Sequence, residues 1–249
     1  MIIIYPERLD SGTGISADSE DSNFPASNLE DDRPGVLWKA DSTNEAIITI
    51  PAEADSDCVA VFNTNAESAA CVLKDGVGGS TLDTENFDLT PASGRVHKQL
   101  FWNYTAQSST CVVEITLTAA VGETIYAGVV RIGKGASFNS PRPNLSQSRE
   151  DLSTVLTMSN KSRYVNKDPG EVNTRRVLRV SIVDETTDYY SFDTIMQYFG
   201  PNPMAVLLLE TGDGMEWAIF AYVDENSLYN AGHVFSSVTT ISFNLTEAV

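Results

Sequence analysis

Residues 101–143 read FWNYTAQSSTCVVEITLTAAVGETIYAGVVRIGKGASFNSPRP, and this stretch decides how the chain is divided. Val112 to Thr118 alternates apolar and polar residues as a half-buried strand does, and Ala119 to Thr124 supplies a turn containing Gly122. Ile125 to Ile132 is a second β-rich run, ended by Gly133 and Gly135. Ser137, Asn139, Ser140, Pro141 and Pro143 then have the composition of a linker. The reading is therefore a β domain over 1–134, a linker over 135–150 and a second domain over 151–249, a division that suits a chain of 249 residues.

Outward from that seam, Met1 to Tyr5 reads as an opening strand, and Pro6 to Ser27 as an irregular Asp/Ser-rich loop. Val36, Trp38 and Ala40 alternate, and Glu45 to Ile50, Cys58 to Asn65, Ser68 to Gly76 and His97 to Tyr104 follow at the regular spacing of a β-sandwich. No segment of this half has the length and pattern of a core helix. Cys58, Cys71 and Cys111 all lie here; an odd number leaves at least one thiol unpaired, and all three are expected as buried thiols in strands. Their spacing matches no zinc pattern, and His97 and His233 are far from them in sequence, so no metal or other cofactor is expected.

In the second half, Ser153 to Met158 is β-rich, and Asp168, Pro169 and Gly170 form a turn. Arg175 to Val183 alternates, with Leu178, Val180 and Ile182 as its core face. A helix follows: Thr186, Thr187 or Asp188 can cap it, Tyr189, Phe192, Ile195, Met196 and Phe199 recur at helical spacing, and Gly200 with Pro201 stops it. Its aromatic stripe is a packing face. The runs MAVLLLET and MEWAIFAYV, joined at Gly212, Asp213 and Gly214, form a hairpin, and SSVTTISFNLTEAV closes the domain as a strand. The expected fold class is mainly β: a jelly-roll sandwich followed by an antiparallel β domain carrying one α-helix.

The net charge of −18 disfavours a nucleic-acid binder, which needs a basic face to displace counterions. From Val180 to Val249 the sequence holds no Lys or Arg and ten acids. Two readings stand: a solvated acidic face, or a surface that repels a polyanion, such as the bore of a tube through which DNA slides without binding. The apolar N-terminal residues are too few and lack the basic flank of a secretory signal. No run is long and apolar enough for a transmembrane helix, so no membrane partner is expected.

Several residues carry a resemblance. Asn28, Leu29, Asp31, Arg33 and Pro34 lead to Trp38; an acid-initiated strand runs from Asp57 to Asn65; and a closing strand IYAGVVRIG spans Ile125 to Gly133. Together they resemble the galactose-binding-like jelly roll found as the first domain of bacteriophage tail proteins. That resemblance implies end loops able to hold a glycan or calcium, or a purely structural role. The candidate loops are Asp18 to Asn23, Asp31 to Arg33 and Asp83 to Asp88, none with regular EF-hand spacing. Phe24, Trp38, Phe87, Trp102 and Tyr104 are the candidate aromatic platforms, each weighed against the alternative of burial.

Residues 172–249, with RRVLRVSI at their start, Trp217 in the hairpin and Glu247 near the end, are similar to the C-terminal domain of small phage tail-tip and baseplate proteins, which form rings about the tail axis. The resemblance implies a structural virion protein, made in the host cytoplasm, that joins other tail proteins and a trimeric or hexameric ring of its own copies. The alternative is a carbohydrate-binding module attaching the particle to a host-surface glycan. No G-x-S-x-G elbow, P-loop, dinucleotide glycine pattern or H-E-x-x-H is present, so no enzyme and no catalytic residue is expected.

Overall fold

A computed structural model describes residues 1–7, 14–89, 98–139, 146–151, 154–157, 163–166, 174–208, 218–223, 230–235 and 238–248. The protein is mainly β. Its first strands are β1 Ile2–Glu7, β2 Ser16–Ala17, β3 Trp38–Lys39, β4 Glu45–Ala52, β5 Cys58–Thr64, β6 Ser68–Lys74, β7 Thr81–Asp88, β8 Lys98–Asn103, β9 Cys111–Thr118, β10 Tyr126–Ala127 and β11 Val129–Ser137. Next come β12 Ser146–Asp151, β13 Thr154–Thr157, β14 Arg163–Asn166, β15 Thr174–Glu185, helix α1 Thr186–Phe199, β16 Met204–Leu207, β17 Ala218–Val223, β18 Asn230–Phe235 and β19 Val238–Glu247.

The chain divides into two compact units, Met1–Ser140 with Asn202–Phe220, and Pro141–Pro201 with Ala221–Val249. Residues 202–220, which the sequence groups with the second domain, lie in the first unit: β16 pairs with β1, placing Ile2 opposite Leu207 and Ile3 opposite Val206. A short apolar run such as MAVL states that it wants burial, not beside which strand.

The first unit is an antiparallel jelly-roll sandwich. One sheet runs β2-β4-β9-β6-β7, and the facing strands run β1-β11-β5-β8. The alternation seen in sequence is the cause. Ala46, Ile48 and Ile50 of β4, Val113, Ile115 and Leu117 of β9, and Ala69, Cys71 and Leu73 of β6 point inward. They meet Val59, Val61, Leu100, Trp102, Val130 and Ile132 of the other sheet in one core. Fully burying each Ile or Leu contributes about 1.5–3 kcal/mol. β5 is buried along both faces; on its outer side Phe62 stacks on Phe220 with ring centroids 5.4 Å apart.

The expected linker, 135–150, is shorter than the sequence implies. β11 runs through Gly133 and Gly135 to Ser137, paired with Ile2 to Ile4. The two glycines do not end the strand; they let neighbours approach. A Cβ on Gly133 would lie 2.4 Å from the Pro6 carbonyl oxygen, and one on Gly135 would lie 2.7 Å from Cys58 Sγ. At the far end of the expected linker, Ser146–Asp151 is strand. Pro141 and Pro143 fall outside the described residues. The expected loop over Pro6 to Ser27 is also interrupted, by β2.

In the second unit β15 lies between β12 and β19. Leu178, Val180 and Ile182 are buried as expected, opposite the buried Leu245, Phe243 and Ile241. Helix α1 packs here through Phe192, Ile195, Met196 and Phe199, with the Phe192 ring 5.0 Å from that of Phe243. It ends where expected: Gly200 has φ +53°, and its N–H donates to the Met196 carbonyl at 2.9 Å. The cap side chains, the Tyr189 side chain, the Asp168–Gly170 turn, the Gly212–Gly214 turn and Trp217 lie outside what is described.

Candidate functional site

The polar residues that carry the sequence resemblance converge on main-chain partners within the first unit. A 3-10 helix over Ala26–Glu30 precedes the Asp31–Arg33 loop, with Leu29 fully buried beneath it. Asn28 Nδ2 donates to the Leu37 carbonyl at 2.8 Å, which ties that helix to the approach of β3. Asn63 adopts φ +55°, a left-handed conformation that Asn tolerates, and its Nδ2 donates to the Pro34 carbonyl at 2.7 Å. The backbone can approach so closely because residue 128 is glycine: a Cβ there would sit 2.3 Å from that same oxygen.

Two more residues complete the set. Asn65 Nδ2 donates to the Thr124 carbonyl at 3.0 Å, and its Oδ1 accepts the Tyr126 N–H at 2.9 Å. Asp57 accepts the Gly135 N–H on Oδ1, and its own N–H donates to the Gly133 carbonyl at 2.9 Å. These side chains close the loops of the sandwich on one another.

The acid-rich loops are occupied in the same way. Asp18 Oδ1 accepts the Ile47 N–H at 2.8 Å, and Asp21 Oδ1 accepts the Asn23 N–H at 2.8 Å. Asp31 takes the Arg33 backbone N–H, Nε and Nη2 at 2.8, 2.8 and 2.6 Å. Those hydrogen bonds pull the Asp31 carboxyl down to about 2. Asp83 to Asp88 is not a loop: it is most of β7, whose exposure on both faces leaves no alternation to read. Among the described residues no group of three His, Cys, Asp or Glu side chains could hold a metal.

Of the candidate platforms, Trp38, Trp102 and Tyr104 are buried in the core, and Phe87 packs against it half-buried. Phe24 differs. It is half-exposed in the Asp18–Asn23 region, Lys39 Nζ stands 4.2 Å from its ring centroid, and exposed Asn23 adjoins it. The thiols of Cys58, Cys71 and Cys111 are buried in strands, as expected. Burial pushes the Cys71 and Cys111 thiols up, against thiolate formation.

One cluster escapes sequence reading altogether. Arg131 is buried on β11, its Nε 3.0 Å from Glu7 Oε1 in an ion pair outside hydrogen-bond geometry. Its Nη2 pairs with Asp32 and reaches the Asp31 carbonyl at 3.3 Å, and its Nη1 donates to the Val130 carbonyl at 2.7 Å. The guanidinium carbon lies 5.2 Å from the Phe220 ring centroid. Burial raises the Glu7 carboxyl above its usual value, against the pull of Arg131 and with a smaller push from Asp32. The available signal was an arginine inside the apolar run Val129 to Ile132.

No family model matches the chain, and no curated protein matches it. Solved structures similar to it include reduced XRCC1 bound to the DNA polymerase β catalytic domain, at 15% identity and TM-score 0.40 over 51% of this chain and 97% of that one. Another is the lectin-binding domain of lectinolysin, a His 62 mutant complexed with Lewis b, at 13% identity and TM-score 0.41 over 53% of this chain and 99% of that one. A third is chitosan-binding module 1 from a chitosanase/glucanase of Paenibacillus sp. IK-5, at 14% identity and TM-score 0.39 over 50% and 97% of the two chains. The similarity is confined to about half of this chain.

Proposed function

We propose that the chain is a non-catalytic structural protein of a phage tail tip or baseplate, acting through its surfaces in an assembly. The observation that carries this reading is the use made of the resemblance residues. Asn28, Asn63, Asn65 and Asp57 spend polar atoms on main-chain partners that close the sandwich, and Leu29 and Trp38 are core. A ligand site would instead hold polar atoms out toward solvent. The lack of Lys and Arg from Val180 onward suits a surface near DNA that must not adhere.

A second reading, a carbohydrate-binding attachment module, is favoured by Phe24, which offers a half-exposed ring beside a cation and an amide. A glycan array probed with the full chain separates the two. The structural reading expects no hit. A hit lost in Phe24→Ala, with unfolding unchanged, would replace it with the attachment reading.

A further inference from the structure

β7 is the outermost strand of its sheet, pairing with β6 and, among the described residues, with nothing else. Register places Asp83 opposite Leu73, Glu85 opposite Cys71 and Phe87 opposite Ala69. Those three β6 residues are buried on the core face. β7 therefore continues that face past the core as two carboxylates and one half-buried ring, while Thr84 and Asn86 on its other face are exposed. The register passes over Leu82, 45% exposed, at an irregularity that leaves Asp83 to Phe87 as the regular stretch of the edge.

A strand edge of this kind is a template for another extended segment. The charges say which segment fits. From Asp75 to Asp88 the sequence holds four acids and no Lys or Arg, and the neighbouring Lys74 is already paired with Glu114 at 2.6 Å. A second copy is a poor occupant. Antiparallel pairing about Thr84 sets Asp83 against Glu85 of the other copy, pairing about Glu85 sets that residue against itself, and like charges directly opposite are unfavourable in both. A segment with Lys or Arg at every second position meets the carboxylates instead, and an apolar residue at the next alternate position meets Phe87. Asp83 Oδ1 accepts the Thr84 N–H at 2.8 Å, which ties that carboxylate to its own strand and leaves the exposed Glu85 as the first contact for a cation.

We propose that the Asp83–Phe87 edge of β7 receives an extended basic segment of another protein as an added strand. The inference rests on the structural reading above and names one contact surface of that assembly.

Fluorescence anisotropy of a short dye-labelled peptide in which Val and Lys alternate, titrated with the full chain, tests it. The peptide is expected to bind, with affinity falling as salt rises, and to slow amide hydrogen exchange in β7. Asp83→Lys/Glu85→Lys should weaken binding at least roughly tenfold, with circular dichroism unchanged. Asp83→Asn/Glu85→Gln removes the attraction without adding repulsion, and should weaken it less. A peptide of equal charge with Pro at its centre lacks a main-chain donor there and cannot continue as a strand, so it should bind more weakly than the alternating peptide.

Three results would overturn the β7 contact. No binding of the alternating peptide denies the site, equal binding of the proline peptide reduces it to charge attraction alone, and affinity unchanged in Asp83→Lys/Glu85→Lys places the binding elsewhere. Each of these leaves the structural reading standing, which the glycan array decides separately.

Discussion

Arg131, buried on β11, forms an ion pair with the exposed Glu7 at the end of β1, Nε to Oε1 at 3.0 Å. Burial holds the Glu7 carboxyl above its ordinary value of 4.5 despite the cation beside it. The folded state therefore holds the proton more tightly than the unfolded chain. Between 4.5 and the raised value, stability falls as pH rises. Glu7→Gln is expected to flatten that slope while leaving the Asp32 pairing of Arg131 in place. Urea unfolding of both proteins across pH 4 to 7 measures it, and equal slopes would count against the assignment.

Asp31 has the opposite sign. Its carboxyl is lowered from 3.8 to about 2 by Arg33, so its contribution is present above 3.8 and is lost as pH falls through about 2. The side chain of Arg33 is 75% exposed, and the effect is small and sensitive to salt. Asp31→Asn should reduce the loss of thermal stability between pH 4 and 2, read as a smaller shift in unfolding midpoint over that window.

Two glycines should fail for different reasons. Gly128→Ala puts a Cβ 2.3 Å from the Pro34 carbonyl oxygen, a backbone atom that cannot swing away. The cost expected from overpacking is about 3 kcal/mol, at the upper end of the ordinary range. Gly200→Ala meets open space but keeps φ at +53°, so only the left-handed strain of about 1 kcal/mol applies. Gly200→Asn should cost less than Gly200→Ala, as judged by chemical denaturation.

Trp38 separates packing from recognition. It is fully buried, and its Nε1 has no hydrogen-bond partner among the described residues. Trp38→Phe removes that unpaired donor together with some apolar volume, and its cost should be well below that of Trp38→Ala, about 3–5 kcal/mol. Similar losses for the two substitutions in an unfolding titration would mean that the indole N–H is satisfied after all.

What the sequence revealed follows from where periodicity exists. β4, β9 and β15 each bury one face and α1 buries one stripe, so alternation and helical spacing expose them. β7 and β12 were not legible: β7 meets solvent on both faces, and SQSRED has no apolar residue to set a phase. Gly133 and Gly135 read as a stop because composition cannot distinguish a turn from a close approach between strands. The residues around Asn28, Asn63 and Asn65 were legible as a pattern, but their role was not. Hydrogen-bond partners such as Asn63 with Pro34, or Asn65 with Thr124, are set by folding distant segments together.

On the structural reading, this chain acts by assembly. Electron microscopy of the purified full chain, with a glycan array run on the same preparation, tests it most directly. Rings of copies, with no glycan bound, are the expected result. A monodisperse monomer retained by a glycan would contradict it.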